Sequence, residues 1–316
     1  MRSCDSSSTK RRGDVASNAD IDNHRKEACR DGVSQPSYAV LPAEVRQRLV
    51  AFIEGGTLEL PIMPQVANQV MAMTADPNAD LKKLAELISR DPAMAGNVLR
   101  ICNSPMYMSA MKVVSLQQAL SRLGMQLVRQ IAIIVSCETR VFRVDGYQSD
   151  VHAIFRHSLA TALFAQEIAR SRRWNVEEGF LCGLLHDVGK PILLQTLVDL
   201  HKELKHPIDR TATFGAIDEF HAKVGGYMVD EWKLPARLSE AIVYHHHPTL
   251  APQASQTAMM TNLADDLAHS AVGPRVVEEE FLRKHPMLAP LNLYPDELQK
   301  LLDKRNHVVE QVRSLA

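Results

Sequence analysis

Large apolar side chains recur every three or four positions along almost the whole chain after residue 40, which is the spacing of one face of an α-helix. In the segment 80–88, for example, Asp80 is suited to cap a helix, and Leu81, Leu84, Leu87 and Ile88 form one stripe. No segment has the convincing alternation of a half-buried strand. The chain is therefore predicted to be all-α.

Helix-breaking residue pairs divide this pattern into segments. In residues 41–142 four pairs indicate five or six short helices: Asp76-Pro77, Asp91-Pro92, Ser104-Pro105 and Leu123-Gly124. After a polar, turn-like stretch the pattern resumes, and helices are predicted at Ala153–Arg170, Val176–Leu185, Ala216–Glu231, Pro235–His245 and Gln256–His269. Towards the end of the chain, Pro295–Ser314 has the pattern of one further amphipathic helix.

These segments predict a first helical subdomain at 39–142, a hinge at 143–150, a helical core at 151–270 and a C-terminal extension at 271–316. Residues 1–38 are rich in Ser, Asp, Asn, Lys and Arg and contain few large apolar side chains. Such a segment cannot bury enough apolar surface to offset the entropy of ordering. It is predicted to be a disordered tail.

The composition disfavours several classes of partner. Lys and Arg total 36 against 37 for Asp and Glu, so the chain has no general attraction to nucleic acid or anionic membrane. Aromatic residues are only 5% of the chain, which leaves few stacking platforms for bases. The five cysteines are scattered and form no Cys-x-x-Cys pair, and neither an export signal nor a membrane-spanning run is evident. A cytoplasmic protein is expected.

The doublet His186-Asp187 ends a strongly apolar predicted helix, so two ionisable groups emerge where burial is expected. Buried ionisable groups need partners, and clustered His and Asp residues most commonly share a metal ion. The same block of chain carries further candidate ligands on or at the ends of predicted helices: His157, His221, His245, His246 and Asp265. Together with the doublet they predict a metal site.

A donor set of imidazoles and carboxylates suits manganese, iron, nickel or zinc, whereas calcium requires more oxygen ligands. The number of ligands permits one or two ions. One ion would be held by His157, His186, Asp187 and Asp265, the other by His221, His245 and His246, with Asp187 as the bridge. Two ions about 4 Å apart can clamp the oxygens of a phosphoryl displacement and activate a water.

A purely structural interpretation competes with this one. A single core histidine is usually just hydrogen-bonded, and His247 beside Pro248 is expected to face solvent. One of the neighbouring Asp265 and Asp266 is also expected to face solvent. Lys190, one turn beyond Asp187, is either a surface lysine or a cation that binds phosphate at the metal site.

The order His157, His186-Asp187 and Asp265 resembles the HD superfamily, and the remaining histidines look like the extra ligands of its two-metal members, which include the HD-GYP phosphodiesterases. No Gly-Tyr-Pro motif follows them here. Over Leu58–Ala268 the chain resembles the HDOD family of HD-related output domains in bacterial signalling. The motifs that carry this resemblance are Leu60-Pro61-Ile62-Met63-Pro64, Asp91-Pro92, Asn103-Ser104-Pro105, Ala119-Leu120-Ser121-Arg122-Leu123-Gly124, Phe220-His221-Ala222-Lys223-Val224-Gly225, Trp232-Lys233-Leu234-Pro235 and Ala241-Ile242-Val243-Tyr244-His245-His246.

The HDOD resemblance implies an N-terminal helical subdomain packed on an HD-type helical core, and a regulatory role with protein partners. Family members often lack some HD ligands, whereas this chain keeps them all. Two functions are therefore expected to compete. The first is a signal-transduction output protein whose metal site binds a nucleotide or another phosphate ligand. The alternative is an active metal-dependent phosphohydrolase with Asp187 and Lys190 as its catalytic residues.

Overall fold

The computed structural model describes residues 40–76, 78–107, 112–273, 275 and 277–316. These residues form α-helices and one short 3₁₀ helix, Pro248–Leu250, with no strand among them. The α-helices are α1 Ala43–Gly55, α2 Gln65–Thr74, α3 Leu81–Ile88, α4 Pro92–Cys102, α5 Leu116–Arg140, α6 Gln148–Arg172, α7 Val176–Leu185, α8 Gly189–Glu203, α9 Arg210–Glu231, α10 Ala236–Val243, α11 Ser255–Ala271, α12 Glu279–Arg283, α13 Pro295–Asp303 and α14 Arg305–Leu315. The prediction of an all-α fold is confirmed. The predicted tail at 1–38, with Cys4 and Cys29, lies outside the described residues.

Helix starts in the first half follow the predicted capping chemistry. The Asp80 carboxylate accepts the backbone N–H of Lys82 at 2.8 Å at the start of α3. Asp91 accepts two backbone N–H groups at the start of α4, where Pro92 occupies the first helical position. Within α5, Gly124 has non-helical backbone angles. The prediction of five or six short helices is thus confirmed, since Gly124 interrupts the fifth.

In the second half one helix was not among those predicted, and one helix prediction was wrong. The helix without a prediction is α8, which carries a glycine and a proline in its first turn. Pro191 lies in the first turn of α8, where the missing N–H breaks no helical hydrogen bond. The predicted single helix Pro295–Ser314 is two helices, α13 and α14, which meet at Lys304.

The N-terminal helices pack on the later ones, and residues 39–316 cluster as one compact unit. The Arg46 guanidinium on α1 donates two hydrogen bonds to the Glu219 carboxylate on α9, at 2.7 and 2.8 Å. The buried indole N–H of Trp232 donates to the carbonyl of Pro61 at 2.8 Å. Both contacts join the two helical halves. The internal boundaries at 142, 150 and 270 stay predictions.

Helices α6 to α11 form the part of the fold that surrounds the candidate ligands. α6 packs against both α7 and α11, while α9 packs against α8 and α10. Within the described part of the chain, none of the helices combines the length and the apolar character needed to cross a membrane.

Candidate metal centre

All seven predicted ligands converge at one place, although they come from five parts of the chain. His157 lies within α6, the His186-Asp187 doublet directly follows α7, and His221 lies within α9. His245 and His246 follow α10, and Asp265 lies on α11. The ligand atoms of three sets each lie within 4.8 Å of one another: His157, His186 and Asp265; His186, Asp187 and His245; and His221, His245 and His246. Six of the seven residues are buried, and His246 is exposed.

A close contact between main chains brings the doublet next to His221. Gly189, two residues after Asp187, lies against the carbonyl group of His221 on α9. A Cβ atom at position 189 would lie only 2.1 Å from that carbonyl oxygen. Glycine is therefore the residue that permits α8 to start so close to the middle of α9.

Backbone carbonyls fix the ring orientation of three histidines. A carbonyl oxygen can only accept, so the ring Nδ1 atom that contacts it must carry the proton. The contacts are His186 Nδ1 to Gly183 O at 2.8 Å, His245 Nδ1 to Ile242 O at 2.6 Å, and His221 Nδ1 to Asp218 O at 3.0 Å. This arrangement directs the Nε2 atoms of all three rings towards the centre, as in metal-binding histidines oriented by outer hydrogen bonds.

Whether the site fits a cation is judged from the hydrogen bonding of the converging Nε2 atoms. Nε2 of His245 and Nε2 of His186 are buried and make no hydrogen bond. Nε2 of His221 lies 3.0 Å from Nε2 of the exposed His246. Buried nitrogen atoms without hydrogen bonds are costly, and a divalent cation is the partner that would satisfy several of them together. The donor set therefore fits a metal ion.

The two carboxylates lie between the imidazoles. Oδ1 of Asp187 is 3.3 Å from Nε2 of His221, while its Oδ2 is 3.4 Å from Nε2 of His186. Asp187 thus faces both predicted ligand groups. Oδ1 of Asp265 is 2.7 Å from Nε2 of His157 and 3.6 Å from Nε2 of His186, so Asp265 belongs to the first group.

Lys190 points back to this cluster from the first turn of α8. Its Nζ atom is 2.8 Å from Oδ2 of Asp187 and 4.0 Å from Oδ1 of the exposed Asp218. The Lys190 side chain is 21% exposed, whereas that of Asp187 is only 3% exposed. The cluster is therefore accessible from the side of Lys190, Asp218 and His246.

The electrostatic environment of the cluster raises the pKa of one histidine and lowers the pKa of two others. Burial opposes a charge on His186, but the negative charge of Asp187 and the contacts with both carboxylates outweigh it and raise the His186 pKa to about 10. Burial, reinforced by the charge of Lys190, lowers the pKa of His221 to about 3. Burial and the charge of His186 lower the pKa of His245 to about 4. His221 and His245 are thus neutral, which is the form that binds metal.

The carboxyl groups stay ionised despite their burial. Burial alone would raise the pKa of Asp187, but the charges of His186 and Lys190 hold it well below its usual value. Burial acts in the same direction on Asp265, where the hydrogen bond from His157 and the nearby His186 imidazole hold the pKa well below its usual value. Two anionic carboxylates beside the neutral imidazoles of His221 and His245 suit a divalent cation.

Two expectations about neighbouring residues need correction, and one residue was missed. Asp266 does not face solvent: it is buried and contacts Nε2 of His285 at 3.0 Å as well as the Arg275 guanidinium, both from later parts of the chain. His247 is half-buried rather than fully exposed. The missed residue is His269, whose Nε2 lies 3.5 Å from Oδ1 of Asp265. Its signal was the spacing of four residues from Asp265, which places both on one helix face.

Comparison with known proteins identifies relatives of this fold. Two curated relatives match: an uncharacterized protein of Treponema pallidum, 22% identical over 68% of this chain, and Ribonuclease Y of Mycoplasmoides gallisepticum, 26% identical over 53% of this chain. The chain spans 43% and 27% of the length of these relatives, respectively.

Solved structures share the fold. An HDOD domain protein of unknown function from Geobacter sulfurreducens aligns with a TM-score of 0.63 and 23% identity, covering 87% of this chain and 99% of the other. A protein of Shewanella amazonensis, provisionally named a metal-dependent phosphohydrolase, aligns with a TM-score of 0.65 and 18% identity over 86% of this chain and 99% of that one. A protein of Marinobacter aquaeolei, provisionally named a signal transduction protein, aligns with a TM-score of 0.62 and 21% identity over 86% of this chain and 66% of that one.

The family model for the HDOD domain matches residues 60–248, which include helices α2 to α10 and six of the seven predicted ligands. Asp265 lies beyond the matched range, on the helix that completes the cluster. The match covers more than half of the chain. The chain belongs to the HDOD family.

Proposed function

We propose that this chain is an HDOD-family signal-transduction protein whose HD core holds two divalent cations and, through them, a phosphate-bearing ligand such as a nucleotide. The observation that carries the proposal is the convergence of buried histidine Nε2 atoms that have no hydrogen bond, at His186 and His245, between two ionised carboxylates. Manganese, iron, nickel and zinc are the cations that this donor set favours.

The number of cations follows from the division of the ligands. His157, His186 and Asp265 form one group, and the three histidines at 221, 245 and 246 form the other. Asp187 faces both groups with different oxygen atoms, as a bridging carboxylate does. We therefore infer two cations rather than one.

The accessible side of the cluster is suited to an anion. Lys190 is the cationic side chain that contacts the cluster there, and a phosphate group would find both its ammonium group and the cations. Because the net charge of the whole chain is only −1, long-range attraction does not select the ligand. Recognition of the anion is local.

A regulatory role is supported by the connection between the cluster and the N-terminal half. Glu219, which accepts the two hydrogen bonds of Arg46, lies two residues before His221 on α9. A ligand that shifts His221 would therefore also act on the contact with α1. Such a shift offers partner proteins two surface states to distinguish. The name of the Marinobacter relative, a signal transduction protein, is in line with this role.

The proposal is tested by metal content and phosphate binding. Protein purified without chelator is expected to contain close to two equivalents of transition metal by elemental analysis. Calorimetry with inorganic phosphate and ATP is expected to detect binding that disappears after chelation and weakens in Lys190→Ala. Metal-free protein from such a preparation, or phosphate binding that chelation does not change, would contradict the proposal.

A second candidate is a metal-dependent phosphohydrolase, favoured by the position of Lys190, which contacts the buried Asp187 from the accessible side of a complete ligand set. Divalent cations would supply Lewis-acid activation of water and phosphate. The chain itself would contribute the bridging carboxylate of Asp187 and the ammonium group of Lys190, which neutralises charge on the phosphate. The names of the Shewanella and Mycoplasmoides relatives are in line with this candidate.

Turnover measurements distinguish the two candidates. The metal-loaded protein is incubated with cyclic dinucleotides, nucleotides, p-nitrophenyl phosphate and a short RNA, in manganese, iron and nickel separately. The hydrolase predicts turnover that is lost in Asp187→Ala. The purely regulatory protein predicts no turnover of any of these compounds, although it binds metal and phosphate.

A further inference from the structure

His269 lies beside the first ligand group but belongs to none of the sets described above. Its Nε2 atom is 3.5 Å from Oδ1 of Asp265. The same carboxylate oxygen is 2.7 Å from Nε2 of His157 and 3.6 Å from Nε2 of His186. Three imidazole Nε2 atoms therefore surround one oxygen atom of Asp265.

The position of the His269 ring is enforced by its surroundings. His269 lies one helical turn after Asp265 on α11, so both side chains extend from the same face. The ring stacks on that of His157 with 4.2 Å between centroids and 32° between planes. On its other side, a Cβ atom at Gly273 would lie 2.2 Å from Nδ1 of His269. The absence of a side chain at position 273 thus leaves room for the ring in this orientation.

The hydrogen bonding of His269 gives no structural reason for its place. Nδ1 is buried and makes no hydrogen bond. Nε2 faces a carboxylate oxygen that already has a closer partner in His157. A ring that stacks on one ligand histidine and directs a nitrogen to a carboxylate oxygen shared by two others is placed where a metal ligand would lie.

We propose that His269 is a further ligand of the cation held by His157, His186 and Asp265. The inference rests on the proposed function and refines it. With His269, this cation has three imidazoles and one carboxylate of its own, before any contribution from Asp187. Four such donors match the coordination number of zinc. The two cation positions are then unequal: the one at His269 is the tighter, and the one at His246 is the more accessible to ligand.

The test is a cobalt titration of the metal-free full-length chain, in which visible absorption reports the coordination of the ion. The wild type is expected to take up two equivalents with clearly different affinities. His269→Ala is expected to weaken the tighter one by about tenfold or more and to change its absorption spectrum. Gly273→Ala, whose Cβ atom would clash with both the ring and the Cα atom of His269, is expected to act in the same direction. His152→Ala, at an exposed histidine on α6, is the matched control. It is expected to leave both cobalt affinities and the absorption spectrum unchanged.

The outcomes separate this inference from the proposed function. If the wild type binds two equivalents and His269→Ala binds them with unchanged affinity and spectrum, the histidine only packs on His157 and the inference is wrong, while the proposed function stands. If the wild type binds no cobalt, the proposed function itself fails. Circular dichroism of each variant confirms that its helices are intact.

Discussion

The ammonium group of Lys190 and the carboxylate of Asp187 form a 2.8 Å ion pair at the edge of the ligand cluster. Burial opposes the charge on Lys190, but the attraction of Asp187 outweighs it and raises the Lys190 pKa. In the metal-free protein, Lys190 therefore supplies the positive charge that a cation would supply to the same carboxylate. The two charges act in part as substitutes for each other.

This relationship predicts the behaviour of Lys190→Ala. Removing Lys190 leaves the buried Asp187 carboxylate with His186 as its remaining charged neighbour, so we expect the metal-free variant to lose about 2 kcal/mol in free energy of unfolding. With manganese present, the loss is expected to be at least halved. Urea unfolding with and without chelator measures both values.

The control for this measurement is Lys202→Ala, at an exposed position on the same helix. It is expected to change the free energy of unfolding by no more than about 0.5 kcal/mol in either condition. An equal effect of Lys190→Ala with and without metal would show that the cation and the lysine do not compete for Asp187.

Gly189→Ala is predicted to be strongly destabilising. The added Cβ would lie 2.1 Å from the carbonyl oxygen of His221, so α8 and α9 must separate. We expect a loss of about 3 kcal/mol in free energy of unfolding, together with weaker metal binding. Gly96→Ala is the matched control, because its Cβ meets nothing within 4 Å in the middle of α4, and alanine there is expected to stabilise by about 0.5 to 1 kcal/mol. Similar effects of the two substitutions would contradict the prediction.

The metal-free protein is predicted to be most stable near pH 6.5. Burial lowers the pKa of His221 to about 3 and of His245 to about 4, so between these values and 6.5 the unfolded chain binds protons that the folded chain does not. Each histidine then removes up to about 1.4 kcal/mol of stability for each unit of acidification below pH 6.5. His186 has the opposite effect, because its pKa is raised to about 10 in the folded protein. Its contribution to the free energy of unfolding is fully present below pH 6.5 and is lost as the pH rises towards 10.

Urea unfolding of chelated protein at pH 5, 6.5 and 8 tests this dependence. Stability is expected to be lower at pH 5 and at pH 8 than at pH 6.5. A free energy of unfolding that does not change between pH 5 and 6.5 would mean that His221 and His245 are not held neutral by burial.

The contact between Asp266 and His285 is predicted to stabilise the C-terminal segment against α11. Both side chains are buried, with Nε2 of His285 3.0 Å from Oδ2 of Asp266. His285→Ala leaves the carboxylate with Arg275 as its remaining partner, and we expect a loss of about 1 to 3 kcal/mol. A double-mutant cycle with Asp266→Asn should give a coupling energy of about 0.5 to 3 kcal/mol. His307→Ala, at an exposed histidine on α14, should be neutral.

Sequence patterns predicted helix bounds well where capping residues and the end of an apolar run set those bounds. The bounds predicted for Val176–Leu185 agree with α7, because Asn175 caps the helix and the polar doublet ends its apolar run. No helix was predicted at α8, which carries the poor helix formers Gly189 and Pro191 in its first turn. The glycine is there for a contact with His221, which is distant in sequence, and the proline is harmless in a first turn.

The site was predictable where the types of its residues alone indicate metal binding. The seven ligand candidates were recognised because imidazoles and carboxylates are unusual in apolar segments, and the structure brings them together. The environment of Asp266 was not predictable, since its partners His285 and Arg275 come from the chain beyond α11 and only tertiary packing reveals them. Similarly, His269 lacked any mark in the sequence other than its spacing from Asp265.

The contact between Gly189 and the carbonyl of His221 joins two main chains and involves no ligand side chain. The scaffold that sets the separation of the ligands is therefore independent of the groups that it carries. Histidines and aspartates in the cluster should be exchangeable for other donors while α8 and α9 keep their spacing. This makes the domain a suitable framework for redesigning metal preference one ligand at a time.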